Sequence, residues 1–179
     1  MGRKLVETLV RKNIVYKGSQ VNFRADHVRL PNGRPAQREY MDHPGAVGVI
    51  PFIDSRTIVL VRQYRHPVRL TTLEFPAGKL EKGENVLSCV RRELQEETGY
   101  TARKITPLIR YWPTPAFANE VLHLFVAEGL TSGKLFPDED ELLEVVTMSF
   151  AKALSLARAG KIRDSKTLIG LLACAAWRR

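Results

Sequence analysis

The apolar positions of this chain form two kinds of pattern, short near-continuous runs and stripes at helical spacing, and the two alternate along its length. Residues 45–52 and 57–61 are almost unbroken apolar runs separated by the turn-forming Asp54-Ser55-Arg56, as expected of central strands covered on both faces. A further short strand is predicted over 71–75, running into Pro76 and Gly78, which fix the backbone at its end. Val86, Leu87, Val90 and Leu94 then recur at spacings of three and four and predict one short helix, with Asn85 placed to cap its start and Gly99 its end. Strands over 105–112 and 120–128 flank a stiff loop, Pro113-Thr114-Pro115-Ala116-Phe117-Ala118-Asn119, and another strand is predicted over 143–149. Two helices close the chain. One spans 149–159 and stops at Gly160; the other spans 165–177, with Asp164 or Ser165 as cap and Leu168, Leu171, Leu172 and Ala175 on its apolar face. Strands and helices that alternate, with both hairpin-like and crossover connections, predict an α/β fold with a mixed sheet between helices.

The first forty residues differ. Strands are predicted over 13–16, 20–30 and 34–41, with Pro31-Asn32-Gly33 as a hairpin turn, and Val21, Phe23, Ala25 and Val28 alternate imperfectly. A three-stranded piece of this size buries little by itself, so it is expected to pack on the rest of the chain or on a second copy. The domain reading is therefore an antiparallel β piece over 1–43 and a main domain over 44–179.

Composition adds boundaries. The 179 residues with 44 % hydrophobic content suit one globular domain with a small appendage. A formal charge of +9 suits an anionic partner. Lys and Arg are spread along the chain without an interleaved aromatic platform, which favours a small polyphosphate over nucleic acid. Cys89 and Cys174, far apart in predicted helices, read as buried hydrophobes in a reducing compartment. No apolar run approaches the roughly 20 residues that span a bilayer, and the charged N-terminal stretch has no signal-peptide core. A cytoplasmic protein with no membrane partner is expected.

Chemistry concentrates between Gly78 and Tyr100. At 100° per residue, positions 86, 90, 93 and 97 fall within about 60° of one another, so Glu93 and Glu97 continue the inward stripe of the helix and Glu96 lies beside them. Carboxylates gathered near a helix C-terminus meet the negative end of its dipole. Either the cluster is a solvated helix end neighboured by Arg91 and Arg92, or a hard divalent cation, magnesium above all, compensates it. The cations in Arg62-Gln63-Tyr64-Arg65 follow the second apolar run at a strand end; they form a solvated loop or a phosphate clamp. Asp138-Glu139-Asp140-Glu141 is a second acidic loop, solvated surface unless it faces the first cluster.

The spacing Gly78, five residues, Glu84, seven residues, Arg92-Glu93-Leu94, one residue, Glu96-Glu97, one residue, Gly99-Tyr100 resembles the full signature of the Nudix hydrolases, without a departure. Arg-Gln-Tyr-Arg, Glu-Phe-Pro-Ala-Gly, Phe-Ala-Asn-Glu and Pro115, 16 residues beyond Gly99, resemble the ADP-ribose pyrophosphatase branch, so the likeness covers most of 45–179. It implies a Nudix-type α/β/α sandwich and hydrolysis of ADP-ribose to AMP and ribose 5-phosphate. It further implies Mg2+, with Mn2+ as a substitute, on Glu93, Glu96, Glu97 and the Ala77 carbonyl. By the same resemblance Glu141, or failing that Glu139, is the base, and Glu96 belongs to the catalytic set. Arg65, with Arg62 beside it, holds substrate phosphate, and Glu120 accepts hydrogen bonds from the terminal ribose. Arg92 supports the motif by pairing with a glutamate such as Glu84. The branch also implies a homodimer that exchanges the N-terminal β piece. Two other readings stay open: hydrolysis of another nucleotide sugar or nucleoside polyphosphate, and a silent domain that binds ADP-ribose or RNA. Loss of a metal glutamate would favour the latter, and none is missing.

Overall fold

The computed structural model describes residues 5–134 and 142–178. Its strands are β1 (Thr8–Arg11), β2 (Ile14–Lys17), β3 (Asn22–Arg29), β4 (Pro35–Asp42), β5 (Ala46–Pro51), β6 (Thr57–Arg65), β7 (Leu70–Glu74), β8 (Ala77–Lys79), β9 (Tyr100–Tyr111), β10 (Leu122–Ser132) and β11 (Leu143–Ser149). Its helices are α1 (Val86–Thr98), α2 (Phe150–Arg158) and α3 (Ser165–Trp177).

The chain divides into two compact units, one made of the residues up to Gly45 with Thr114–Glu120, the other of Ala46–Pro113 with Val121 onward. In the first, β3 pairs along its whole length with β4, while β1 and β2 share its other edge, β1 opposite residues 27–29 and β2 opposite 22–24. The sheet therefore has four strands where the sequence suggested three. Every residue of β1 is exposed, so the strand carries no inward alternation by which a sequence could reveal it. The Thr114–Glu120 loop joins this sheet through the amide of Met41, which donates to the Phe117 carbonyl at 2.8 Å.

In the second unit, β8-β5-β10-β9 form a mixed sheet with β5 and β10 parallel, and β11-β6-β7 form an antiparallel one. The mixed sheet is covered on both faces, and the pleat sorts its side chains. Val47 and Val49 of β5 and Phe125 and Ala127 of β10 pack with Cys89, Val90 and Leu94 of α1. Their neighbours Ile50 and Val126 pack on the opposite face with Ala153 and Ala157 of α2 and Leu171 and Cys174 of α3. This is the α/β/α sandwich.

Three details depart from the sequence reading, the first being Leu172, expected on the apolar face of α3 but 46 % exposed, while Cys174 is buried there instead. Leu87 is exposed and Cys89 takes its place on the buried face of α1. Arg62 to Arg65, expected beyond a strand end, lie within β6, whose ladder with β7 runs from Val61↔Glu74 to Arg65↔Leu70. The apolar pattern stops because one sheet face opens to solvent; the backbone pairing continues. Among the described residues, no helix is long and apolar enough to cross a membrane.

Candidate active site

Helix α1 starts where the Asn85 side chain accepts the Ser88 N–H at 2.9 Å and ends at Gly99, whose φ of 74° is the left-handed conformation that terminates helices. Thirteen residues between these stops turn Cys89, Val90, Glu93, Leu94, Glu97 and Thr98 inward. Two carboxylates are thus buried by the periodicity that packs the helix: Glu93 is 8 % exposed and Glu97 3 %. Glu97 Oε2 accepts the Ala77 N–H at 2.9 Å, which fastens the helix to β8.

Arg92 compensates the charge. Its Nε and Nη2 donate to the two oxygens of Glu84 at 3.0 Å each, its Nη1 donates to Glu93 at 2.8 Å and to Glu96 at 2.9 Å, and Nη2 also reaches the Lys79 carbonyl at 3.2 Å. One guanidinium thereby ties the loop before α1, the helix and β8 together. The bonds from Arg92 hold the Glu84 carboxyl down at about 2, against a smaller opposing push from burial. Beneath it, burial first and the hydrogen bond with Glu84 second push the Cys89 thiol up to about 12, so that cysteine is an inert core residue.

Glu93, Glu96, Glu97 and Ala77, expected around a divalent cation, are brought together at one end of α1. Their hard oxygen donors suit magnesium or manganese. Among the described residues, however, no group of three or more His, Cys, Asp or Glu is arranged so that it could hold a metal ion as the side chains stand. Arg92 Nη1 bridges Glu93 and Glu96, and Glu97 is turned to the Ala77 amide. Placing an ion there would require Glu93 and Glu96 to release Nη1, while Arg92 keeps its bonds to Glu84 through Nε and Nη2.

A second network lies at the end of β7. Glu74, 1 % exposed, takes a bidentate pair of bonds from Arg65, at 2.8 and 2.7 Å, and further bonds from Lys166 Nζ and the Thr72 hydroxyl. Burial alone would raise its pKa, but Arg65, Lys166 and Thr72 outweigh it and hold the carboxyl at about 2. Asp164 caps α3 by accepting the Thr167 N–H at 2.9 Å and also bonds Lys166, while the Thr167 hydroxyl accepts the Phe75 N–H at 2.8 Å. Lys166 was hidden in the sequence because it occupies one buried position on a helix that reads as a Leu and Ala stripe; a buried lysine with a carboxylate partner 92 residues away leaves no local signal.

Arg65 and Arg62 both line a cleft of about 880 Å³ between the β6–β7 turn and the α2–α3 loop. Arg65 raises its own basicity through the Glu74 bonds, and Glu97 of α1 contributes to the same field. Arg62 pairs across the sheet with Glu144 of β11. Glu120 is half-buried in the loop that groups with the N-terminal unit. Glu139 and Glu141 lie outside the described residues.

A family model described as NUDIX domain matches residues 42–169. The chain is 41 % identical over 167 residues to the ADP-ribose pyrophosphatase of Bacillus subtilis (strain 168), which covers 92 % of this chain and 90 % of that protein. It is 40 % identical over 173 residues to the methanol dehydrogenase activator of Bacillus methanolicus, covering 96 % and 94 %. It is 32 % identical over 143 residues to the GDP-mannose pyrophosphatase of Salmonella typhimurium, covering 74 % of each. Among solved structures, an ADP compounds hydrolase superposes with a TM-score of 0.82 at 24 % identity, over 96 % of this chain and 93 % of that one, which is a likeness of fold.

Proposed function

Because this chain belongs to the Nudix hydrolase family, we propose that it hydrolyses the pyrophosphate bond of ADP-ribose, giving AMP and ribose 5-phosphate. The observation that carries the reading is the set of carboxylates on the inward face of α1, buried against Ala77 and Gly78 and balanced by one arginine. A pyrophosphate repels an incoming nucleophile, so the site must supply positive charge and an oriented water. Glu93, Glu96, Glu97 and the Ala77 carbonyl would hold magnesium, or manganese in its place, and the ion would neutralise phosphate charge and acidify a water.

The remaining tasks fall to the chain's own groups. Arg65 spends Nε and Nη2 on Glu74, which fixes its plane and leaves Nη1 to donate to a phosphate oxygen. Arg62 adds positive charge in the same cleft, and Glu120 accepts from the terminal ribose. Glu141, or Glu139 in its place, takes the proton of the attacking water as the bridging P–O bond breaks. The free thiols Cys89 and Cys174, both buried, suit a reducing cytoplasm. Two copies of the chain pair through the exposed apolar β1 and β2 strands.

The test is a metal-dependent hydrolysis panel of ADP-ribose, GDP-mannose, NADH and dinucleoside polyphosphates with the products resolved. ADP-ribose should give the highest kcat/KM, with AMP and ribose 5-phosphate as sole products and no turnover in EDTA. A higher kcat/KM on GDP-mannose would move the chain to the sugar-nucleotide branch.

A further inference from the structure

The 880 Å³ cleft is within the size range of small-ligand sites, and its two walls differ. One carries Pro67, Val68, Leu70 and Leu73; cations come from β6 and from the α2–α3 loop. Four cations line it, Arg62, Arg65, Lys161 and Arg163, against two carboxylates, Glu74 and Asp164. Both carboxylates are already engaged, Glu74 by Arg65, Lys166 and Thr72, and Asp164 by Lys166 and the first turn of α3. Arg62 is paired with Glu144. The side chains of Lys161 and Arg163 have no hydrogen bond or ion pair among the described residues, so the uncompensated charge sits on the loop.

That loop is held in place. It runs between the end of α2 and the Asp164 cap of α3, and the Lys161 N–H donates to the Leu156 carbonyl at 2.9 Å. Ile162 plugs into the core at 3 % exposure. Lys161 and Arg163, on either side of the buried Ile162, are both exposed and both line the cleft. Lys161 and Arg163 present a pair of unpartnered cationic donors from an anchored backbone beside an apolar wall, an arrangement suited to a compact dianion attached to a larger organic body.

We propose that Lys161 and Arg163 form a phosphomonoester-binding site in this cleft, separate from the carboxylate end of α1. The dianion has two sources: an additional phosphate carried by the substrate, or a free phosphorylated molecule such as a product. The inference rests on the proposed activity only in that Arg65 borders both sites.

Titration of the full chain with inorganic phosphate and with AMP at low ionic strength, followed by calorimetry, tests it without turnover. Comparison is with the double variant Lys161→Ala/Arg163→Ala and with Arg163→Lys. The double variant should bind phosphate at least about ten-fold more weakly, the scale of losing one or two charge-assisted bonds, with an unchanged circular dichroism spectrum; Arg163→Lys should lose less. Kinetic arms separate the sources. An advantage in kcat/KM for ADP-ribose bearing a 2′-phosphate over ADP-ribose, lost in the double variant, assigns the site to the substrate. Inhibition by AMP that is relieved in the double variant assigns it to a free phosphomonoester. Equal phosphate affinity in wild type and double variant overturns the proposal. Intact phosphate binding in a chain that fails to hydrolyse ADP-ribose overturns only the activity.

Discussion

The carboxylate of Glu93 rests so closely on Gly78 that a β-carbon built at Gly78 would overlap every atom of that carboxylate. The glycine at the start of the acidic motif is therefore needed by a side chain fifteen residues later, on a different element. It makes the space in which a buried carboxylate can reach the backbone of β8.

Gly78→Ala should accordingly inactivate without unfolding. The three nearest overlapped atoms all belong to the end of the Glu93 side chain, so the clash is relieved by turning Glu93 away from β8, where it no longer serves the site. A fall in kcat of at least about 100-fold is expected, as on losing one main electrostatic group. The far-UV circular dichroism spectrum should be unchanged. Turnover within a few-fold of wild type would mean that Glu93 does not act where it stands.

Glu97→Gln should behave alike for another reason. A glutamine Oε1 can still accept the Ala77 N–H, so the link from α1 to β8 survives, while the charge that a divalent cation needs is gone. We expect a loss of at least about 100-fold in kcat with a melting temperature close to wild type. Full activity at saturating magnesium would remove Glu97 from the metal set.

How much of this was legible in the sequence depends on range. Glu93 and Glu97 could be placed on the buried face of a helix by counting residues, and the caps Asn85 and Gly99 bounded it, because helical period and capping are local. The partner of Arg92 was legible through the motif's spacing. Leu87 was misplaced because its hydrophobicity outweighed an angle that Cys89 satisfied better. The extent of β6 was hidden where its side chains turn polar, although β7 still pairs with it. The Glu74–Lys166 contact and the close approach of Gly78 to Glu93 arise only when separate elements pack, and no periodicity encodes them.

The base should be separable from the metal carboxylates. Glu141→Gln is expected to slow turnover by about 100-fold to 10,000-fold, the usual share of a general base, and to leave the magnesium concentration for half-maximal activity unchanged, since a base acts on water and need not ligate the ion. A large loss in Glu139→Gln with normal turnover in Glu141→Gln would reverse the assignment within the loop.

Acid stability should depend on Glu74. Its folded pKa, about 2, lies below the ordinary 4.5, so its contribution is fully present above about pH 4.5 and disappears as the pH falls towards 2. A displacement of this size corresponds to about 3 kcal/mol. In Glu74→Gln, Arg65 and the buried Lys166 face a neutral group, so the variant should be less stable at pH 7 by about that amount. The gap between wild type and variant, measured by urea unfolding, should narrow steadily from pH 4.5 downward. A gap independent of pH would mean that Glu74 is not held ionised by its two cations.

The N-terminal strands should hold two copies of the chain together. Every residue of β1 and β2 is exposed, and Leu9, Val10, Ile14, Val15 and Tyr16 are among them. An apolar face of this kind on an edge, where unpaired backbone groups add to the cost, marks an interaction surface. A second copy of the chain covers it in the proposed dimer, and a stable interface buries about 1,600 Å² in total. Light scattering at micromolar protein should give twice the 20.2 kDa of one chain. Val10→Asp with Ile14→Asp should halve that mass. Both side chains are exposed, so the variant's circular dichroism should match wild type, and any loss of activity then reports on what pairing contributes. A wild-type monomer with full activity on ADP-ribose would show that these strands serve some other contact.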